Sequence, residues 1–103
     1  MLYKDFEWDE EKELENIRDH SVNFTDATEI FRDYFRIERH DDDSSDNEDR
    51  YQTMGYFHDI LFVIYTERVE IIRIMSARLA EPFERRIYGN SETPSGGWKR
   101  VNP

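Results

Sequence analysis

The chain has 103 residues, with 14 Lys and Arg against 24 Asp and Glu, three His and no Cys. That length fits one domain, and the missing cysteine excludes a disulfide scaffold and a thiolate zinc site. No apolar run nears the roughly 18 residues of a membrane span, and no basic-then-apolar leader opens the chain, so a cytoplasmic protein without membrane contact is expected. A formal charge of −10 counts against nucleic-acid binding by the molecule as a whole.

Phe6-Glu7-Trp8 alternates apolar and polar residues and predicts a short strand or an extended arm with one buried face. Asp9 is placed to cap a helix in which Glu10 and Glu11 lie at the positive end, with Leu14 and Ile17 as its apolar points. Asn23 with Asp26 three residues on resembles a capping box with a shorter acid. Ala27, Ile30, Phe31, Tyr34 and Phe35 then keep the spacing of a core-facing helix. Six acidic residues crowd around Ser44 and Ser45 between positions 41 and 49 and predict a solvated loop. That loop lacks the glycine and the spacing of a calcium-binding EF-hand loop.

After the loop the period changes. Tyr51 to Phe57 is aromatic-rich and contains Gly55, His58-Asp59 makes a tight connection, and Leu61-Phe62-Val63-Ile64-Tyr65 reads as a central strand covered on both faces. Glu67 to Glu70 supplies the next turn and Ile71 to Met75 the next strand, so an antiparallel meander is expected. Pro82 suits the first turn of a closing helix, with Phe83 and Ile87 on one face and Gly89 as C-cap. The expected architecture is α+β, folded over residues 1–88 with a flexible tail over 89–103, in which Trp98 is incidental or touches a partner.

Charge divides unevenly along the chain. Residues 1–49 hold 6 basic and 18 acidic side chains, net −12, whereas residues 50–103 hold 8 basic and 6 acidic, net +2. An anion site is therefore to be sought in the second half. Strict alternation sets Ile72, Ile74 and Ser76 on one face of their strand and Ile71, Arg73 and Met75 on the other. An arginine within an apolar strand needs a partner, either a carboxylate, with Glu67 and Glu84 as candidates, or a phosphate, which its planar fork suits. Arg68, Arg78, Arg85 and Arg86 add to a basic group that serves surface salt bridges or an anion site. His20 falls where the first helix ends and caps it or transfers protons. His40, beside the acidic run, can act as general acid or base with a neighbouring carboxylate raising its pKa. His58 is expected in a turn, exposed to solvent. No phosphate loop, serine nucleophile motif or metal-ligand spacing is present.

Taken in order, several segments resemble the BrnT ribonuclease toxins. They are Phe6 to Lys12, Asn16 to His20, Val22 to Ala27 with Phe31, Glu48 to Tyr51 with Gly55, Leu61 to Arg68, Ile72 to Arg78 and Glu84 to Tyr88, covering roughly residues 5–88. The resemblance implies the toxin of a type II toxin–antitoxin pair with a RelE-like fold, helices packed on an antiparallel sheet. It also implies a ribbon-helix-helix (BrnA-like) antitoxin partner, contact with operator DNA only through that complex, and RNA as substrate. The implied chemistry needs no metal or cofactor: the ribose 2′-OH attacks the adjacent phosphate with help from a base, an acid and positive charge. Carried over position by position, Arg50, Arg68, Arg73 and Arg78 stabilise phosphate, His20 and His40 transfer protons, Glu48 is a base or an arginine orienter, and Tyr88 stacks on a base or donates a hydrogen bond. Asp19 stands where the family usually has lysine, Ser21 and Val69 where it usually has glycine, and the acidic loop is a few residues longer. A catalytically weak toxin-like binding module is the alternative these departures imply.

Overall fold

Asp9 accepts hydrogen bonds from the backbone N–H groups of Glu11 (2.8 Å) and Lys12 (3.2 Å), and this cap starts α1, Glu10–His20. The computed structural model describes residues 2–3, 5–43, 47–90 and 94–102. The inward face of α1 is not the one expected. Leu14 is 68% exposed and Ile17 also faces solvent, while the buried residue of the helix is Asn16. Its amide donates to the carbonyls of Val22 (2.8 Å) and Ala77 (2.7 Å) and accepts from the N–H of Ala77 (3.1 Å). The helix is docked by a polar clasp, and apolar periodicity therefore gave no sign of it.

Asn23 caps α2, Phe24–Glu29, by accepting from the N–H of Asp26 at 2.7 Å. The expected long helix then tightens into a single 3₁₀ turn, Ile30–Arg32, and stops. Asp33 ends it, because its carboxylate takes the N–H groups of Phe35 (2.9 Å) and Tyr56 (2.8 Å) and so competes with helical hydrogen bonding. Tyr34 and Phe35, expected in the core, are turned outward as a result.

Among the described residues seven strands form one sheet: β1 (Leu2–Tyr3), β2 (Phe6–Glu7), β3 (Ile37–His40), β4 (Arg50–Phe57), β5 (Asp59–Arg68), β6 (Ile71–Leu79) and β7 (Lys99–Arg100). Their spatial order is β1-β2-β6-β5-β4-β3-β7. β5 is central, as its apolar run predicts. The sheet is mixed rather than purely antiparallel, since β2 runs parallel to β6, with Phe6 opposite Ile72 and Glu7 opposite Arg73. β3 was not expected. Asp41 extends it by donating its N–H to Arg50 O (2.8 Å) and is buried, so the acidic stretch begins inside the sheet. Residues 44–46 of that stretch lie outside the described residues.

One face of the sheet packs against α1 and α2 through Trp8, Phe24, Ala27, Ile30, Val63, Tyr65 and Ile74. Gly55 permits the close approach of the 3₁₀ turn, for a Cβ there would stand 2.8 Å from Ile30 Cβ and 2.9 Å from Ile30 O. Part of the opposite face is covered by α3, Pro82–Gly89, with Ile37, Met54, Phe62 and Ala80 buried beneath. Gly89 is the last residue of α3 rather than its cap, which is Asn90. Trp98 closes this second core at 4% exposure, edge-on to Phe62, and β7 pairs with β3. The described residues of the expected flexible tail are thus part of the fold, and Trp98 is a core side chain.

The β5–β6 hairpin turns through Val69 and Glu70, with φ of 48° and 69°. Positive φ at both central residues is the type I′ geometry that favours Asn-Gly. A β-branched residue held there is strained by roughly 1–2 kcal/mol, and Val69, 95% exposed, makes no burial that offsets it. Replacing Val69-Glu70 by Asn-Gly should raise stability by about 1 kcal/mol, seen as a higher midpoint of thermal unfolding. Asn16→Ala, which strands three buried backbone groups, should lower stability by about 3 kcal/mol in chemical denaturation.

Candidate active site

In β5 the alternation is regular, so Phe62, Ile64, Thr66 and Arg68 share the face that carries α3. Across from them, Phe62 pairs with Arg78, Ile64 with Ser76 and Thr66 with Arg73, while Tyr65 pairs with Ile74. Met75 has no place in this register: it is the extra residue of a β-bulge. The bulge reverses the phase of β6. Ser76, expected with Ile72 and Ile74, turns to the face of Arg73, and Arg78 joins it there. Arg50 of β4 lies opposite Thr66 and completes an arginine face with Arg68, Arg73 and Arg78.

Carboxylates of the same chain meet this face. Arg73 Nη1 donates to Glu7 Oε2 at 2.8 Å, so the partner of this arginine is Glu7, neither Glu67 nor Glu84. Arg68 Nη2 reaches both oxygens of Glu48 (3.4 and 3.3 Å), and Glu48 Oε1 is 4.0 Å from Arg50 Nη2. Arg78 forks onto Glu84 through two hydrogen bonds, at 2.7 and 2.9 Å, and its guanidinium lies 4.1 Å from the centroid of Phe62. The Glu84 side chain is only 7% exposed and also takes the N–H of Glu81 (2.8 Å) at the start of α3. Burial pushes the Glu84 carboxyl up, but Arg78 and the Glu81 N–H together hold it below the usual range.

His20 stands at the rim of this face. Because Asn16 fastens α1 along β6, the last turn of the helix overhangs the bulge. Lys12, Glu15, Asn16, Asp19 and His20 line one wall of a shallow cleft there, and Met75 and Ser76 the other. Ser21 ends the helix in the left-handed region, with φ of 59°. Asp19 bonds Arg18 at 3.0 Å.

The remaining expected residues lie elsewhere. His40 ends β3 opposite Tyr51 and rests edge-on to its ring, on the side of the sheet that bears α1 and α2. Its two ring nitrogens meet Asp42 Oδ1 (2.5 Å) and Asp49 Oδ1 (3.0 Å). Tyr88 of α3 donates its hydroxyl to Asp33, and burial together with that carboxylate raises its titration. His58 is exposed in its turn, as expected. Sequence reasoning missed Arg39, which bonds Gln52 (2.8 Å) and Gly96 O (2.7 Å) and lies over Trp98. It also missed Glu7, whose signal was its register beside an unpartnered strand arginine. Among the described residues no three His, Asp or Glu side chains are grouped to hold a metal ion, and no helix is long and apolar enough to cross a membrane.

Residues 8–84 match the family model described as ribonuclease toxin, BrnT, of type II toxin-antitoxin system. The chain belongs to the BrnT family. Its class is therefore that of ribonuclease toxins whose activity is paired with an antitoxin. No curated protein matches the chain.

Hydrogen bonds that the ring donates to Asp42 and then Asp49 raise the His40 pKa above its ordinary value. The protonated ring satisfies both carboxylates and the neutral ring only one. The clasp therefore contributes fully below about pH 6.5 and is lost as pH rises through the elevated folded-state value. Denaturant unfolding at pH 6 and pH 9 should show a larger loss of stability on alkalinisation for the wild type than for His40→Gln.

Proposed function

We propose that the chain is the RNA-cleaving toxin of a type II pair, an endoribonuclease in which the ribose 2′-OH attacks the adjacent phosphate without a metal ion. The observation that carries this reading is the Met75 bulge, which sets Arg73 and Arg78 on one face beside the cleft of His20. Arg73 and Arg78, with Arg50 and Arg68 further along the strands, stabilise the charge that builds on the phosphate oxygens. Their carboxylate partners hold the guanidinium groups in place, which favours recognition of one phosphate over loose attraction to the backbone. His20, beside Ser76, protonates the leaving 5′-oxygen. Glu48 orients Arg68 and Arg50. His40 and Tyr88, both tied to aspartates of the chain, shape the acidic loop and the α3 flank rather than the reacting phosphate.

The partner in this reading is a ribbon-helix-helix antitoxin, which meets operator DNA as part of the complex, and the site of action is the cytoplasm. The helices packed on one face of a meander support a RelE-like grouping. A second reading, a binding module without cleavage, is favoured by one observation: Asp19 puts negative charge in the cleft beside His20.

Expression of the chain alone should arrest growth and degrade RNA. Arg73→Ala should restore growth by lowering cleavage about 10²–10³-fold, while its thermal unfolding stays cooperative. Normal growth and intact RNA with folded wild-type protein would leave the binding module standing.

A further inference from the structure

We propose that Glu7 is the general base of the site, an assignment that rests on the RNA-cleaving reading above. Attack by a 2′-hydroxyl requires a group that removes its proton within hydrogen-bond reach. Among the described residues, the carboxylates paired with the arginine face are Glu7, Glu48, Glu81 and Glu84. Glu84 is enclosed, with both oxygens on Arg78 and one also on the Glu81 N–H. Glu81 comes no nearer than 4.0 Å to Arg78 and belongs to the capping box at the head of α3. Glu48 offers both oxygens to Arg68.

Glu7 differs from all three. Its side chain is 29% exposed, and Oε2 alone is engaged, by Arg73. Among the described residues Oε1 carries no hydrogen bond. A single charged partner fixes the carboxylate while leaving an oxygen open to a substrate hydroxyl. Among the described residues the charged groups near it include Arg73 on β6 and Asp9 at the head of α1, which lies within electrostatic reach of Arg73.

Position along β6 supports the same role. Glu7 stands opposite Arg73, and His20 stands beside Met75 and Ser76, three positions on and about 10 Å along a strand. Both flank the same outer edge of β6, so base and acid bracket one phosphate seated on Arg73. Glu7 takes the 2′-hydroxyl proton as the 2′-oxygen bonds to phosphorus. The bond from phosphorus to the 5′-oxygen breaks, and that oxygen leaves with the electron pair and accepts the proton of His20. The products are a 2′,3′-cyclic phosphate and a 5′-hydroxyl, and solvent returns each group to its starting protonation state.

Cleavage of a short single-stranded RNA should be measured against pH for the wild type, Glu7→Gln and Glu7→Asp, with binding measured on the 2′-deoxy analogue, which cannot react. Glu7→Gln keeps an acceptor for Arg73 and so preserves the fold, which its thermal unfolding checks. The expected result is a 10²–10⁴-fold loss of cleavage with binding equal to or tighter than wild type. The acidic limb of the rate profile should disappear in Glu7→Gln and persist in Glu7→Asp. A Glu7→Gln rate within fivefold of wild type, or parallel losses of binding and rate with the acidic limb intact, would overturn the assignment while leaving RNA cleavage in place. If the folded wild type binds the analogue but cleaves no RNA, the ribonuclease reading fails first and this assignment with it.

Discussion

The amide of Asn16 meets the free edge of β6 as a neighbouring strand would. In an extended strand the N–H and C=O of one residue point the same way, and those of Ala77 point away from β5 toward α1. Pairing with β2 ends at Arg73, so beyond the bulge this edge would otherwise hold an unpaired donor and acceptor. Asn16 satisfies both and uses its second amide proton on Val22 O, which fixes the turn that follows the helix. The lie of α1, the overhang of His20 and the wall of the cleft all follow from this one side chain. A leucine in its place would bury more apolar surface and lose the register, because dispersion contacts do not distinguish one position along the strand from the next.

Charge is arranged with similar economy. The chain carries −10, yet its acidity is concentrated where the arginine face is not: on the outer surface of α1 and around the neck of the loop at 41–49. Glu7, Glu48, Glu81 and Glu84, which meet the arginine face, each lie within 4.0 Å of a guanidinium. Half-buried arginines need such partners, since an uncompensated charge against an apolar sheet costs several kcal/mol. An anion that joins them must match this fixed geometry, and a diffuse polyanion does not.

Local signals were legible where local physics decides. Asp9 and Asn23 cap helices because a short side-chain oxygen reaches an unpaired N–H, and the 61–65 run is central because both of its faces are apolar. The direction of the His40 shift followed from the aspartates close to it in sequence. What was hidden depends on distant parts of the chain. The Met75 bulge has no mark in the sequence, and strict alternation divided Arg73 from Arg78 where the fold unites them. Tyr34 and Phe35 keep helical spacing, but Asp33 takes two backbone donors and ends the helix before them. Trp98 is core only because β7 returns to β3, some sixty residues earlier. Glu7 reads in the sequence as the polar member of an alternating trio, and only the pairing of β2 with β6 sets it beside Arg73.

The order of the strands has a consequence for how copies of the molecule behave toward each other. Both margins of the sheet are built from strands two residues long, β1 on one side and β7 on the other. A strand that short exposes too few main-chain donors and acceptors to template an eighth strand from another molecule. At about 4.8 Å per strand the two margins are roughly 29 Å apart, so they cannot be satisfied by folding toward one another. β5, the longest strand, is paired along both sides between them. Margins this short, with Asn16 over the uncovered edge of β6, guard against edge-to-edge aggregation without recourse to barrel closure.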